Sequence, residues 1–200
     1  MPKKVHSLSF NVFKYSVYAL LTFNILLFLL HGTLHEALDS FGWVILLGTF
    51  EYESTSLDEV YSSALEKWTL FAFQCLGYGL AIYATSQYYF EGEWVDLLNS
   101  VTWLAVCAML AYDVYSPGDF QAPEWRIRNI IKSVLYAILV GVAVWWGYEG
   151  LKEEAHLRGL LDFYDAALWI ACFAVIELNV FNYEKPEELP VHIRTEVVVR

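Results

Sequence analysis

Three apolar runs in this sequence are each long enough to cross a lipid bilayer: Lys14–Leu34, Trp68–Phe90 and roughly Ile130–Tyr148. A spanning helix needs about 20 mostly apolar residues. Three further runs, Leu38–Tyr52, Val95–Tyr115 and Leu160–Tyr183, are apolar in the middle and carry acids near their ends. Composition agrees with a membrane class. Hydrophobic residues make up 58% and charged residues 18% of the chain, against about 45–50% and 25% in soluble domains. These values disfavour disorder and an ordinary soluble enzyme domain. The first run follows Lys3 and Lys4, as a signal peptide would. It is long for one, and His31-Gly-Thr-Leu-His35-Glu36 after it has no small-x-small cleavage site, so it reads as an uncleaved first membrane helix.

Internal repetition raises the three shorter runs to the rank of helices. Glu36-Ala-Leu-Asp39-Ser-Phe-Gly-Trp43, Asp96-Leu-Leu-Asn99-Ser-Val-Thr-Trp103 and Asp162-Phe-Tyr-Asp165-Ala-Ala-Leu-Trp169 share the pattern acid-x-x-[Asp/Asn]-x-x-x-Trp. A second pattern opens the long runs, at Lys14-Tyr-Ser-Val-Tyr-Ala19, Lys67-Trp-Thr-Leu-Phe-Ala72 and Lys132-Ser-Val-Leu-Tyr-Ala137. The two alternate strictly, which is the mark of a repeated two-helix unit. The expectation is an all-α, polytopic membrane bundle of six transmembrane helices arranged as three tandem helical hairpins. The hairpins occupy 14–56, 67–115 and 130–183. The N-terminus 1–13, linkers 57–66 and 116–129, and a polar tail 184–200 lie outside them.

With six spans, both termini share a side, and ten of the twelve Lys and Arg residues fall on it. The opposite side has only Lys152 and Arg158. The positive-inside rule then puts both termini in the cytoplasm. The expected location is the cell membrane, a bacterial inner membrane being compatible with the lack of an N-glycosylation sequon. The lipid bilayer is the first partner, with other membrane proteins or self-association beside it. A net charge of −11 repels phosphates, so no nucleic-acid partner is expected.

The repeated acids Glu36, Asp39, Asp96, Asn99, Asp162 and Asp165 have two readings. Pairs at i and i+3 share a helix face. Where a helix begins, they cap free N–H groups and oppose the macrodipole. Alternatively, they form an outer ring that gathers cations. The tryptophan four residues on is an interfacial anchor or a packing residue. At the other end, Glu51 and Glu177 occupy the same place in repeats one and three, and Asp113 falls near it in repeat two. They are candidates for a cation or proton pathway, because acids at such depth face a cavity, a bundle interior or a partner. The bland alternative is that they simply reach cytoplasmic water. His31, His35 and Glu36 have helical ligand spacing and make a weak metal candidate.

Asn24, Gln74, Thr85 and Ser86 are polar residues within the long helices, and an Asn or Gln there bonds across to another helix as a rule. Gly77, Gly79, Gly141 and Gly147 would let helices approach closely. Cys75, Cys107 and Cys172 read as small buried hydrophobes. No nucleotide-binding loop, hydrolase elbow, zinc-protease motif or haem-binding histidine pair is found, and no cofactor is expected. Two functions follow. One is a non-catalytic membrane scaffold or assembly subunit. The other is a small cation or proton transporter or channel using intramembrane carboxylates.

Overall fold

A computed structural model gives the fold. It describes the backbone of residues 8–56, 63–115, 123–152 and 156–182, and the side chains of 12–53, 63–113, 123–152 and 157–173. Among the described residues the chain is all-α, with six helices: α1 Leu8–His31, α2 Leu34–Ser56, α3 Ala64–Glu91, α4 Trp94–Tyr115, α5 Pro123–Lys152 and α6 His156–Asn182. Each of the six apolar runs falls mainly on its own helix, the first running past α1 to Leu34, where α2 begins. The tail 184–200 and most of the linkers lie outside the described residues.

Local chemistry sets the boundaries. Thr33 and Glu36 form a capping box at the start of α2: the Thr33 Oγ1 accepts from the Glu36 N–H at 3.4 Å, and the Glu36 carboxylate accepts from the Thr33 N–H at 2.6 Å. Ser63 caps α3 by accepting from the Glu66 N–H. Gly92 ends α3 with φ of 79° and donates its N–H to the Tyr88 carbonyl, a left-handed cap that glycine adopts without a Cβ penalty. Pro123 opens α5 where a helix has no use for its missing N–H.

Among the described residues, three helices are long and apolar enough to cross a membrane: α1, over Val12–His31, α4, over Trp94–Asp113, and α5, over Pro123–Lys152. Run length in the sequence instead favours Trp68–Phe90 on α3 over the run on α4. The α3 run carries Trp68, Gln74, Tyr78, Tyr83, Tyr88 and Tyr89, whose polar atoms lower its mean hydropathy. The α4 run has fewer such residues.

Each helix packs on its neighbours in the chain, and α6 returns to α1. The six therefore close into a ring. The most extensive contacts are α2 on α3 and α5 on α6. Both rest on glycine pairs. A Cβ on Gly42 would meet the Gly77 carbonyl oxygen at 2.9 Å, and one on Gly150 would meet the Leu160 nitrogen at 2.8 Å. Gly79 and Gly141, expected to serve the same purpose, have nothing within 4 Å of where a Cβ would stand, whereas Gly147 packs on Phe163.

Trp43, Trp103 and Trp169 of α2, α4 and α6 meet inside the ring. Trp43 lies with its ring centroid 6.4 Å from each of the other two, and Phe173 stacks on Trp103 at 4.8 Å. Val17, Leu21, Leu47, Ala81, Val106, Leu139 and Cys172 complete this core. The tryptophans of the repeated pattern are thus packing residues. Cys172 is buried and Cys107 partly so, but Cys75 is exposed, which corrects its assignment to the interior.

The outer surface is strongly apolar. Phe23, Leu26, Leu30, Phe71, Ile82, Ile130, Val134 and Val144 are all more than half exposed, while Asn24, Ser40, Thr49, Ser100, Thr102, Arg128 and Lys132 are buried. Soluble domains show the opposite arrangement of polar and apolar residues.

Candidate functional site

Short turns connect α1 to α2 and α3 to α4, and they bring the starts of α2, α4 and α6 together. At this end the six residues of the repeated acid pattern converge. Glu36, Asp39, Asp96, Asn99, Asp162 and Asp165 line one cavity of about 30 Å³. Ser40 and Ser100 join them, and α1, α3 and α5 add Phe28, Tyr88 and Trp146. The space suits one or two water molecules, or a small ion.

The lining is rich in acceptors and poor in positive charge. Its deep pair, Asp39 and Asp165, feel each other's charge. Trp43 Nε1 donates to Asp39 at 2.9 Å, and Tyr88 also hydrogen-bonds Asp39. Asn24 Nδ2 donates to Asp165 at 2.5 Å, and Trp169 hydrogen-bonds the same carboxylate. The Asp-x-x-x-Trp spacing therefore has a physical purpose in α2 and α6. One helical turn lets the indole N–H anchor the carboxylate above it. Nearer the turns, Asp162 interacts through charge with both Glu36 and Asp96. Arg158 is the cation close to this group, bonding Glu36 at 2.5 Å and Glu93 at 3.3 Å.

The two readings of the pattern now separate by residue. Glu36 caps α2, and Asp96 lies in the first turn of α4. Asp162 and Asp165 do not lie at a helix start, because α6 begins at His156. They are held inside the ring with nothing to cap. Ser100 lines the same cavity, is 1% exposed, and has no hydrogen-bond partner for its Oγ.

The acids at the opposite end have partners. Glu51 accepts from Lys14 Nζ at 2.5 Å and from the Tyr18 hydroxyl at 3.0 Å. Asp113 accepts from Lys132 at 2.9 Å and Arg128 at 3.3 Å, and all three side chains are buried. Glu177 lies within α6, but its side chain is outside the described residues.

The metal candidate changes membership. His31 ends α1 and is exposed, so it does not share a face with His35 on α2. His35 and Glu36 instead come together with Glu93 from the α3–α4 turn, their ligand atoms all within 4.8 Å of one another. Of the polar residues in the long helices, Asn24 reaches α6 and Gln74 reaches Glu53 on α2, as expected. Thr85 and Ser86 bond carbonyls of their own helix.

The sequence does not by itself mark Asn24, Tyr88 and Ser100 as lining or anchoring residues, or Arg158 as their counter-charge. Ser100 has a visible signal, since it follows Asn99 just as Ser40 follows Asp39. Compared with known proteins, the chain matches no protein family, no curated protein and no solved structure.

Proposed function

We propose that this chain is a six-span membrane protein, built as three tandem helical hairpins, that takes a small hard cation into the carboxylate cavity from the side of the short turns. One observation carries this reading: five carboxyl groups, from Glu36, Asp39, Asp96, Asp162 and Asp165, line one small cavity with the Arg158 guanidinium beside it. Charges placed within a membrane bundle are costly and usually mark an ion or proton path. Mutual repulsion among five acids is relieved by a cation. Oxygen donors without sulfur favour hard ions.

The membrane part of the reading is supported by length and surface. The helices contain 22 to 30 residues, or about 33–45 Å at 1.5 Å per residue, enough for a hydrocarbon core of about 30 Å. Their outer faces are apolar. In this reading both termini lie in the cytoplasm of a cell with the protein in its cell membrane, and the cavity opens outward. The tryptophan cluster closes it from below. Glu51 and Asp113, already paired with bases, brace the cytoplasmic end, and the pathway role passes to the cavity acids.

The test is uptake by the purified full chain in proteoliposomes, measured separately for Na⁺, Ca²⁺ and protons. The wild type is expected to pass at least one of the three. The double variant Asp39→Asn/Asp165→Asn is expected to lose at least ten-fold while keeping its thermal stability. A wild type no leakier than empty vesicles to all three would overturn the transport reading and favour the non-catalytic scaffold. Undiminished uptake by the double variant would remove these carboxylates from the path.

A further inference from the structure

Two buried polar atoms at the rim of the ring face each other without bonding. His35 Nε2 and Glu93 Oε2 lie 3.5 Å apart. Neither has a hydrogen-bond partner. His35 is 8% exposed, and its ring is fixed edge-on against Tyr88 at 5.2 Å between centroids. The other Glu93 oxygen is held by Arg158, which leaves Oε2 turned toward the imidazole. Glu91 Oε2 lies 3.6 Å from the same nitrogen. Glu36 supplies a further carboxylate within reach.

We propose that His35, Glu36 and Glu93 form a binding site for a borderline divalent metal ion such as Zn²⁺ at the mouth of the carboxylate cavity, with Glu36 common to both. Tetrahedral zinc binds nitrogen and oxygen at about 2.0–2.2 Å, which keeps its donor atoms about 3.4 Å apart. The 3.5 Å from His35 Nε2 to Glu93 Oε2 matches that spacing and exceeds a direct hydrogen bond, and the Glu36 ligand atom lies within 4.8 Å of both. One imidazole among carboxylates selects borderline ions over Ca²⁺ or Mg²⁺. Arg158 does not occupy the site. It bonds the Oε1 atoms of Glu36 and Glu93, so it positions two ligands from the far side. The donors come from α2 and from the α3–α4 turn, so a bound ion would tie two hairpins together at the cavity mouth.

The experiment uses metal-free, full-length protein in detergent, titrated with Co²⁺ as a spectroscopic stand-in and then with Zn²⁺. One equivalent of Co²⁺ is expected to give the intense visible bands of a tetrahedral nitrogen–oxygen site, and Zn²⁺ is expected to bleach them. X-ray absorption of the zinc form is expected to show one imidazole ligand. His35→Ala and Glu93→Gln are each expected to weaken binding at least 30-fold, whereas Asp39→Asn/Asp165→Asn leaves it unchanged. That double variant separates this site from the proposed transport path, whose failure would not touch it. No stoichiometric binding by the wild type, or a zinc form with no imidazole, would overturn the proposal. Equal affinity in a folded His35→Ala or Glu93→Gln variant would overturn it as well.

Discussion

The two ends of the helix ring use the same residue types to opposite effect. At the end where α1 begins, Glu51 and Asp113 each meet a base. Lys14 holds Glu51, and Lys132 and Arg128 hold Asp113. At the end carrying the short turns, five carboxyl groups share one cavity with Arg158 as their nearby cation. The acids of the first end complete ion pairs, that of Asp113 buried and that of Glu51 partly so. Those of the second have more acceptors than donors, an imbalance that the proposed cation would correct. A buried acid is thus informative about function only after its partners are counted.

The comparison can be broken or sharpened by removing one acid at a time. The largest effect is expected for Asp113→Asn. It takes from the buried Arg128 and Lys132 the carboxylate they share, Arg128 keeping its bond to Glu124, and loss of one partner of a buried pair costs about 3–5 kcal/mol. Thermal unfolding in detergent reads this as a clear drop in stability. A loss below about 1 kcal/mol would show that water reaches this end and that the balance seen there matters little.

Asn24→Ala comes next, at about 2 kcal/mol, since it removes the amide that ties α1 to Asp165 on α6. Its cost is expected to shrink in the Asp165→Asn background, because the two groups share one bond. Additive losses would mean that Asn24 acts through packing alone. Glu51→Gln is expected to cost about 1 kcal/mol or less, because this pair is only partly buried. The smallest effect belongs to Asp39→Asn/Asp165→Asn in the absence of ions. Neutralising two like charges is expected to leave stability within about 1 kcal/mol of wild type or to raise it. A large loss would mean that both aspartates are structural, like Asp113.

Much of this arrangement is legible in the sequence. Apolar length and the two alternating patterns mark all six helices, including α2, whose uncharged stretch is short. The threefold acid pattern names the six polar residues that meet in the cavity. What it does not reveal is how far each copy stands from its helix start. Glu36 follows a two-residue turn, whereas Asp162 lies well inside α6 because that helix starts earlier. Capping therefore explains one and not the other.

Partner choice across helices is the other illegible part. Whether Glu51 meets water, a cavity or Lys14 depends on how α1 and α2 are rotated about their axes, and hydropathy does not fix rotation. Asn24 shows the same limit, since its expected cross-helix bond is to α6, 141 residues away. His31 and His35 show why helical spacing misleads at a turn. The helix breaks at Gly32, where an added Cβ would sit 3.0 Å from the Phe28 carbonyl oxygen. His35 then finds its neighbour Glu93 on the turn between α3 and α4.

If the turn-end acids hold a cation while the opposite acids are already satisfied, added ions will stabilise only a chain whose cavity acids are intact. Ligand binding to the folded state raises its apparent stability, so thermal unfolding of the full chain with and without Na⁺ or Ca²⁺ tests it directly. At least one ion is expected to raise the midpoint by several degrees in the wild type and equally in Glu51→Gln, and to have no effect in Asp39→Asn/Asp165→Asn. No shift in the wild type with either ion, or the same shift in the double aspartate variant, would contradict the account.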